Sequence, residues 1–199
     1  MYNTTVANTN FIIQTQAIFL AIFGYFFLKE KISKITLASI ILAISGIILM
    51  VGSSLSPGEL SGNIVAFVMP SSFAILIIIV RKYPNVDMIP LQLFAGIVAM
   101  IVGYLVSSKI NISVNDLILA FIAGFFQIGF GFIFITIGAK KTLSALVGIL
   151  MMTEAVFGPL WAWIFLNESP QFIALVGGSI IIIAVFIQFY SLLEREKKS

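Results

Sequence analysis

The chain has 199 residues, 60% hydrophobic and 10% charged, with a formal charge of +3 and neither Cys nor His. A soluble domain usually carries about 25% charged residues, so this much apolar surface needs the lipid bilayer as its solvent. The missing Cys and His exclude disulfides, thiolate nucleophiles, Cys/His metal sites and an imidazole base. The small, scattered charge excludes a nucleic-acid partner.

About seven apolar runs have the length of a spanning helix. Val6–Leu28 comes first and holds Gln14, Thr15 and Gln16. No basic stretch precedes it, so no cleavable signal peptide is expected. A basic break, Lys29 to Lys34, leads to Ile35–Val51, and the turn Ser56-Pro57-Gly58 leads to Ile64–Val80. That span contains Pro70-Ser71-Ser72, where proline should kink the helix and free a carbonyl. Pro84-Asn85-Val86-Asp87 reads as a turn before Ile89–Val106, with Pro90 in the first helical turn. In that span Ala95, Ala99 and Gly103 form a small-residue stripe suited to a close helix contact. Leu117–Ile137 carries Gln127 and Gly129-Phe130-Gly131, the latter a packing feature without the strand and third Gly of a nucleotide loop. Leu143–Leu166 carries Thr153-Glu154 and Gly158-Pro159, and Phe172–Leu193 follows Ser169-Pro170. Continuous runs such as Ile180-Ile181-Ile182-Ile183 do not alternate as barrel strands would. The fold class is therefore all-α, a polytopic membrane helix bundle.

The basic residues set an orientation. Lys29, Lys31, Lys34, Arg81, Lys82, Lys140, Lys141, Arg195, Lys197 and Lys198 fall on one side, and Lys109 alone on the other. The Lys/Arg-rich side is cytoplasmic, which places the C-terminus inside a multi-pass cell-membrane protein. Tyr25, Tyr83, Tyr104, Trp161, Trp163 and Tyr190 lie near span ends, as interfacial aromatics do.

Two stretches of the chain match without a gap, Thr4–Ile48 and Thr142–Phe186. Thr4 meets Thr142, Ala7 meets Ala145, Thr15 meets Thr153, Ala17 meets Ala155 and Phe19 meets Phe157. Phe27-Leu28-Lys29-Glu30 meets Phe165-Leu166-Asn167-Glu168. The copies begin an odd number of spans apart, so they should cross the membrane in opposite directions, the inverted-repeat plan of many secondary transporters. The second copy has about three spans before its matching pair and the first has none, which predicts a fold lacking its first three helices. The expected division is residues 1–52 as the last two helices of the first repeat and 61–193 as a complete five-helix repeat. Residues 194–199 make a charged cytoplasmic tail.

The sequence resembles the EamA-type drug/metabolite transporter superfamily. Thr4-Thr5-Val6-Ala7-Asn8 resembles the entry to such a protein's fourth helix. Phe27-Leu28-Lys29-Glu30 resembles its Leu-Gly-Glu ending, with Lys29 in the Gly place. Thr153 to Trp163 resembles the ninth helix, which Asn167-Glu168 ends with Asn167 again in the Gly place. The resemblance implies about ten helices in two inverted units around a central cavity, and export or uptake of small organic metabolites or drugs. With the first three helices lacking, a partner chain or a homodimer would have to complete the cavity. The alternative is a truncated remnant acting only as a membrane interaction protein.

Glu154 is the ionisable side chain expected deepest in the bilayer. It should turn inward to find partners, and either bind an amino group of the solute or take up a coupling proton. Gln16 is its match in the repeat and should face it across the pseudo-twofold axis. Thr15 and Thr153 form a second matched pair, with back-bonding to their own helices as the structural alternative. Gln127, Ser71 and Ser72 complete the candidate substrate-binding set. Gln14 and Gln127 can equally bind helix to helix. Glu30 and Glu168 end their helices at the membrane surface, where a carboxylate can cap the next helix. No catalytic pair, cofactor motif or metal cluster assembles, so no enzyme is expected.

Overall fold

The computed structural model describes residues 12–51, 60–107, 112–166 and 171–196. Among these the chain is helical throughout its ordered elements: α1 (Gln16–Leu28), α2 (Lys34–Val51), α3 (Leu60–Ala66), α4 (Val68–Lys82), α5 (Ile89–Val106), α6 (Val114–Ile122), a π-helical stretch (Ala123–Phe130), α7 (Gly131–Ala139), α8 (Ser144–Met151), α9 (Glu154–Leu166) and α10 (Phe172–Glu196). Among the described residues five apolar helical segments are long enough to cross a bilayer: Ile64–Lys82, Ile89–Val106, Val114–Ala139, Ser144–Phe165 and Phe172–Ser191. Ile12–Leu28 and Lys34–Met50 are shorter apolar helices. Five of the seven runs read from the sequence are thus helices of spanning length, several of them broken internally, while the start of the first run, Val6–Leu28, lies outside the described residues.

The breaks have local causes. Pro70 has no N–H for the carbonyl four residues back, and the helix is interrupted at Phe67, between α3 and α4. Beside it Ser71 bonds back to its own helix, its hydroxyl donating to the Phe67 carbonyl at 2.8 Å and the Val68 carbonyl at 3.1 Å. In the middle of Val114–Ala139 the winding loosens to a π-helix around Gln127. Pro90 sits in the first turn of α5, where it needs no donor. Ser113 caps α6 by accepting the Asp116 N–H at 3.1 Å.

The chain forms two compact units, Val80–Thr142 and the remainder, Met1–Ile79 with Leu143–Ser199. In the smaller unit Arg81 donates to the Ala139 carbonyl (3.2 Å) and Lys140 to the Val86 carbonyl (3.0 Å). A cation at the C-terminal end of α7 meets the negative end of its dipole. Gln92 donates to Thr136 Oγ1 and to the Phe132 carbonyl, joining α5 to α7. The small-residue stripe of α5 makes no contact of the expected kind, since α5 buries no residue and a Cβ at Gly96 or Gly103 would meet nothing within 4 Å.

The larger unit holds the core. There α2 lies antiparallel on α10, and α1 antiparallel on α8. The α2/α10 crossing is close because both helices present glycine: a Cβ on Gly46 would fall 2.6 Å from the Gly177 carbonyl oxygen. On the other pair a Cβ on Gly148 would fall 2.6 Å from Ala17 Cα. Small residues allow such approach where lipid supplies no hydrophobic drive for helices to associate. Between the pairs lies a cluster of Ala17, Ala43, Ile47, Met152, Ile181 and Ala184, with Ala155 against it. Ala43 and Ile181 are matched positions in the internal repeat, as are Ala17 and Ala155, so matched residues of the two copies share one core.

Candidate functional site

The two matched copies break at the same place. Residues 12–14 are helical, Thr15 is a turn, and α1 restarts at Gln16; α8 ends at Met151, Met152 and Thr153 form a turn, and α9 restarts at Glu154. The hydrogen bonds centred on the two threonines correspond. Thr15 N–H donates to the Ile12 carbonyl at 3.0 Å and Thr153 N–H to the Leu150 carbonyl at 3.1 Å. Ile18 N–H donates to the Thr15 carbonyl at 2.9 Å and Val156 N–H to the Thr153 carbonyl at 3.0 Å. Each threonine hydroxyl bonds back three residues, at 2.6 Å to Ile12 and 2.7 Å to Leu150. Bonds of this short reach tighten the helix into a 3₁₀ turn, which in mid-helix often marks a hinge. The hydroxyls of Thr15 and Thr153 therefore serve their own backbone.

Around these turns the polar side chains differ. Gln14 and Gln16 are buried, at 7% and 3% exposure, and Gln14 Oε1 and Gln16 Nε2 have no hydrogen-bond partner. Glu154, matched to Gln16, lies in the first turn of α9 and is exposed. The expectation that it turns inward to meet Gln16 is not met, because the two occupy different surroundings. The cause is helix geometry. Glu154 shares its face of α9 with Phe157, Trp161 and Phe165, all exposed, while Val156, Pro159, Leu160 and Trp163 face the other way. That second face, with Met50 and Gly178, borders an apolar cavity of about 320 Å³. Pro159, inside α9, thus lines a cavity as a kink-forming residue can.

Two further candidates of the larger unit lie at a different helix break. Ser71 is engaged with Phe67 and Val68, and Ser72 is exposed on α4. Phe67, at that helix break, sets its ring edge against Phe19 of α1, with centroids 6.4 Å apart. Gln127 is exposed on the π-helical stretch of the smaller unit.

Glu30 does something sequence reasoning placed elsewhere. It does not cap α2, whose start is served by Ser33 Oγ accepting the Thr36 N–H at 3.0 Å. Its carboxylate reaches α8 of the other copy, accepting Ser144 N–H at 2.9 Å and Ser144 Oγ at 3.3 Å. The turn that aims it is made by Lys29, at φ 56° in the left-handed region, with Glu30 N–H donating to the Gly24 carbonyl at 3.1 Å. Gly24 is needed because a Cβ there would lie 2.7 Å from Glu30 Oε2 and 3.0 Å from Ser144 Cβ. Glu168 and Asn167, the matched positions, lie outside the described residues. Sequence reasoning also passed over Gln188, buried at 2% with Oε1 unpartnered; its signal was a lone amide in the apolar run Phe186-Ile187-Gln188-Phe189.

The sequence profile of the EamA-like transporter family matches residues 1–52 and 56–190. The chain belongs to the EamA-like transporter family. A protein described as an uncharacterized transporter of Clostridium kluyveri is 25% identical over 193 residues, covering 89% of this chain and 61% of that protein. Another so described, from Methanothermobacter thermautotrophicus, is 22% identical over 205 residues, covering 95% of this chain and 58% of its own length. This EamA-like chain therefore spans about three fifths of the curated relatives it matches. A solved crystal structure superposes with a TM-score of 0.80 at 15% identity, covering 92% of this chain and 66% of the other; at that identity the likeness is one of fold. The EamA-like chain is a multi-pass membrane protein of a transporter family.

Proposed function

We propose that this chain is the greater part of a secondary transporter that moves small organic metabolites or drugs across the cell membrane, with its solute bound at the paired helix breaks. The observation that carries the reading is the break at Thr15 and Thr153, where the same threonine-centred bonds recur in two copies that run antiparallel. Discontinuous helices related by an in-plane axis are where secondary transporters hold their solutes, since interrupted backbone is tolerated at membrane depth only beside a cavity or within protein. The double match of the family profile supports the same division into a short first copy and a longer second one.

Glu154 gives the site its chemistry in this reading. An ionised carboxylate facing lipid near the middle of a span costs about 2.5–3.5 kcal/mol, so its open face of α9 is for water, for a solute amino group or for further protein. Phe157, Trp161 and Phe165 on the same face offer aromatic surface to an organic solute. Further helices of a longer protein, a partner chain or a second copy of this one would wall the site. The basic loops then face the cytoplasm, and the C-terminus with them.

The test is uptake into vesicles reconstituted with the protein, using labelled amino acids and organic amines outside and a pH-sensitive dye inside. Glu154→Gln should abolish uptake of the amines and any accompanying proton movement while the protein stays folded. Uptake and proton movement unchanged by Glu154→Gln would remove Glu154 from the mechanism.

A further inference from the structure

We propose that Glu30 is the latch of a gate formed by α1 and α8, holding shut the seam that leads from one end of that helix pair to the paired breaks. The proposal rests on the transport reading and goes beyond it by assigning a positioning residue that never touches solute.

Three features converge on it. First, the bond joins the two copies: the carboxylate leaves the C-terminal turn of α1 and takes both the first N–H and the hydroxyl at the start of α8. An anion at a helix N-terminus is favoured by the dipole as well as by the hydrogen bonds, so the contact is strong for one side chain. Second, the closest approaches along the seam below it are made by small residues. Gly24, Ala21 and Ala17 of α1 lie against Ser144, Ala145 and Gly148 of α8, with backbone close to backbone at Gly148 and Ala17. Leu20 of α1 reaches over Gly148, and Ile149 of α8 packs beside Ala21, each against a small residue of the facing helix, so parting the seam slides two aliphatic side chains off small ones. Third, α1 carries buried polar groups without partners at its break, just beyond Ala17. Gln14 Oε1 and Gln16 Nε2 are buried and unpartnered in this state. Buried polar groups without partners oppose the state that buries them, and water or solute entering the seam would satisfy both. A strong contact at the mouth of a small-residue seam, beside buried amides without partners, is a two-state device. Glu30 biases it towards the closed form.

The chain contains no cysteine, so one can be placed without removing others. Ala21 lies in the seam, 8% exposed, packed with Ala145, Ile149 and Ile40. The experiment measures the rate at which Ala21→Cys, in reconstituted vesicles, reacts with a membrane-impermeant maleimide. With Glu30 present the rate should be slow. Adding Glu30→Ala should raise it by about tenfold or more, because labelling follows the population of the open form. Glu30→Gln keeps an oxygen for the Ser144 N–H but loses the charge, and should give a smaller rise, about threefold. It serves as the test if Glu30→Ala does not fold. A labelling rate that ignores both substitutions, in protein that still elutes as a folded species, would reduce Glu30 to a static cap and overturn the gate. Failure of this idea is separable from failure of the transport reading. Glu30-dependent labelling in a chain that moves no solute sinks only the latter, and Glu30-independent labelling in a working transporter sinks only the former.

Discussion

Gly177 and Gly178 are neighbours on α10, and the structure assigns them opposite tolerance for a methyl group. At Gly177 an added Cβ would collide with the Gly46 carbonyl oxygen and lie 2.6 Å from Met50 Cγ and 2.9 Å from Met50 N. Two of those three atoms are backbone of α2, so relief requires moving a helix rather than a rotamer. Overpacking of this kind costs about 1–3 kcal/mol, and the rigidity of the obstacle puts Gly177→Ala at the upper end. At Gly178 the nearest atoms are side chains, Val156 Cγ1 at 3.4 Å and Met50 Sδ at 3.9 Å, which is ordinary contact bordering the apolar cavity. There alanine gains helix propensity, about 0.5–1 kcal/mol, and fills empty space. The two variants should therefore differ by about 3 kcal/mol, or about 6–12 °C in melting temperature for a chain of this size. Melting of the purified protein in one detergent, followed by Trp fluorescence and by loss of the folded elution peak, measures the difference. If Gly177→Ala melts with or above Gly178→Ala, the close α2/α10 crossing is wrong.

Two further outcomes follow from other parts of the chain. Lys29 holds a left-handed conformation that an L side chain resists by about 1–2 kcal/mol, so Lys29→Gly should raise the melting temperature while Lys29→Ala, which keeps the strain, should not. Single cysteines at Lys31 and Ser169 should react with an impermeant reagent from opposite faces of the membrane; reaction from one face would end the opposed orientation of the two copies.

Most of the fold was legible because lipid leaves few choices. A run of about 20 apolar residues must be helical, so Ile89–Val106 and Phe172–Leu193 could be read from composition and breakers alone. What hid from sequence was whatever depends on hydrogen-bond bookkeeping inside a run. Val6–Leu28 and Leu143–Leu166 each looked continuous, since Thr15 and Thr153 are tolerated in helices, and only the back-bonded hydroxyls reveal the turns. The resemblance put Lys29 in a glycine position, and its positive φ supplies the reason: the turn needs a left-handed residue to aim Glu30. The partner of Glu30 could not be read, because Ser144 lies 114 residues away and α2 had its own capping serine in Ser33. Gln127 was singled out as a lone amide in an apolar span, but the loosened winding around it depends on backbone registration that residue type does not encode.

The least legible step was the fate of Glu154, and it has a consequence for where solute sits. Matched backbones led to the expectation that Gln16 and Glu154 would face one another across the axis, because a repeat copies φ and ψ. It does not copy surroundings. Gln16 starts a helix that lies against α8, and an uncharged amide survives burial there at modest cost. Glu154 starts a helix whose cavity-lining face is Val156, Pro159, Leu160 and Trp163, two to nine positions further along, which leaves the carboxylate on the opposite side. Had the residues been exchanged, the acid would have been buried without a cation, a far worse penalty than an unpartnered amide. The only copy in which a carboxylate can stand at this break is therefore the one whose restarted helix keeps that side free. On the proposed function this moves the charged part of the site off the symmetry axis, onto the α9 side, while the buried glutamines stay behind the seam that Glu30 closes. The backbone symmetry then supplies two hinges, and the asymmetry of side chains decides which of them meets the solute.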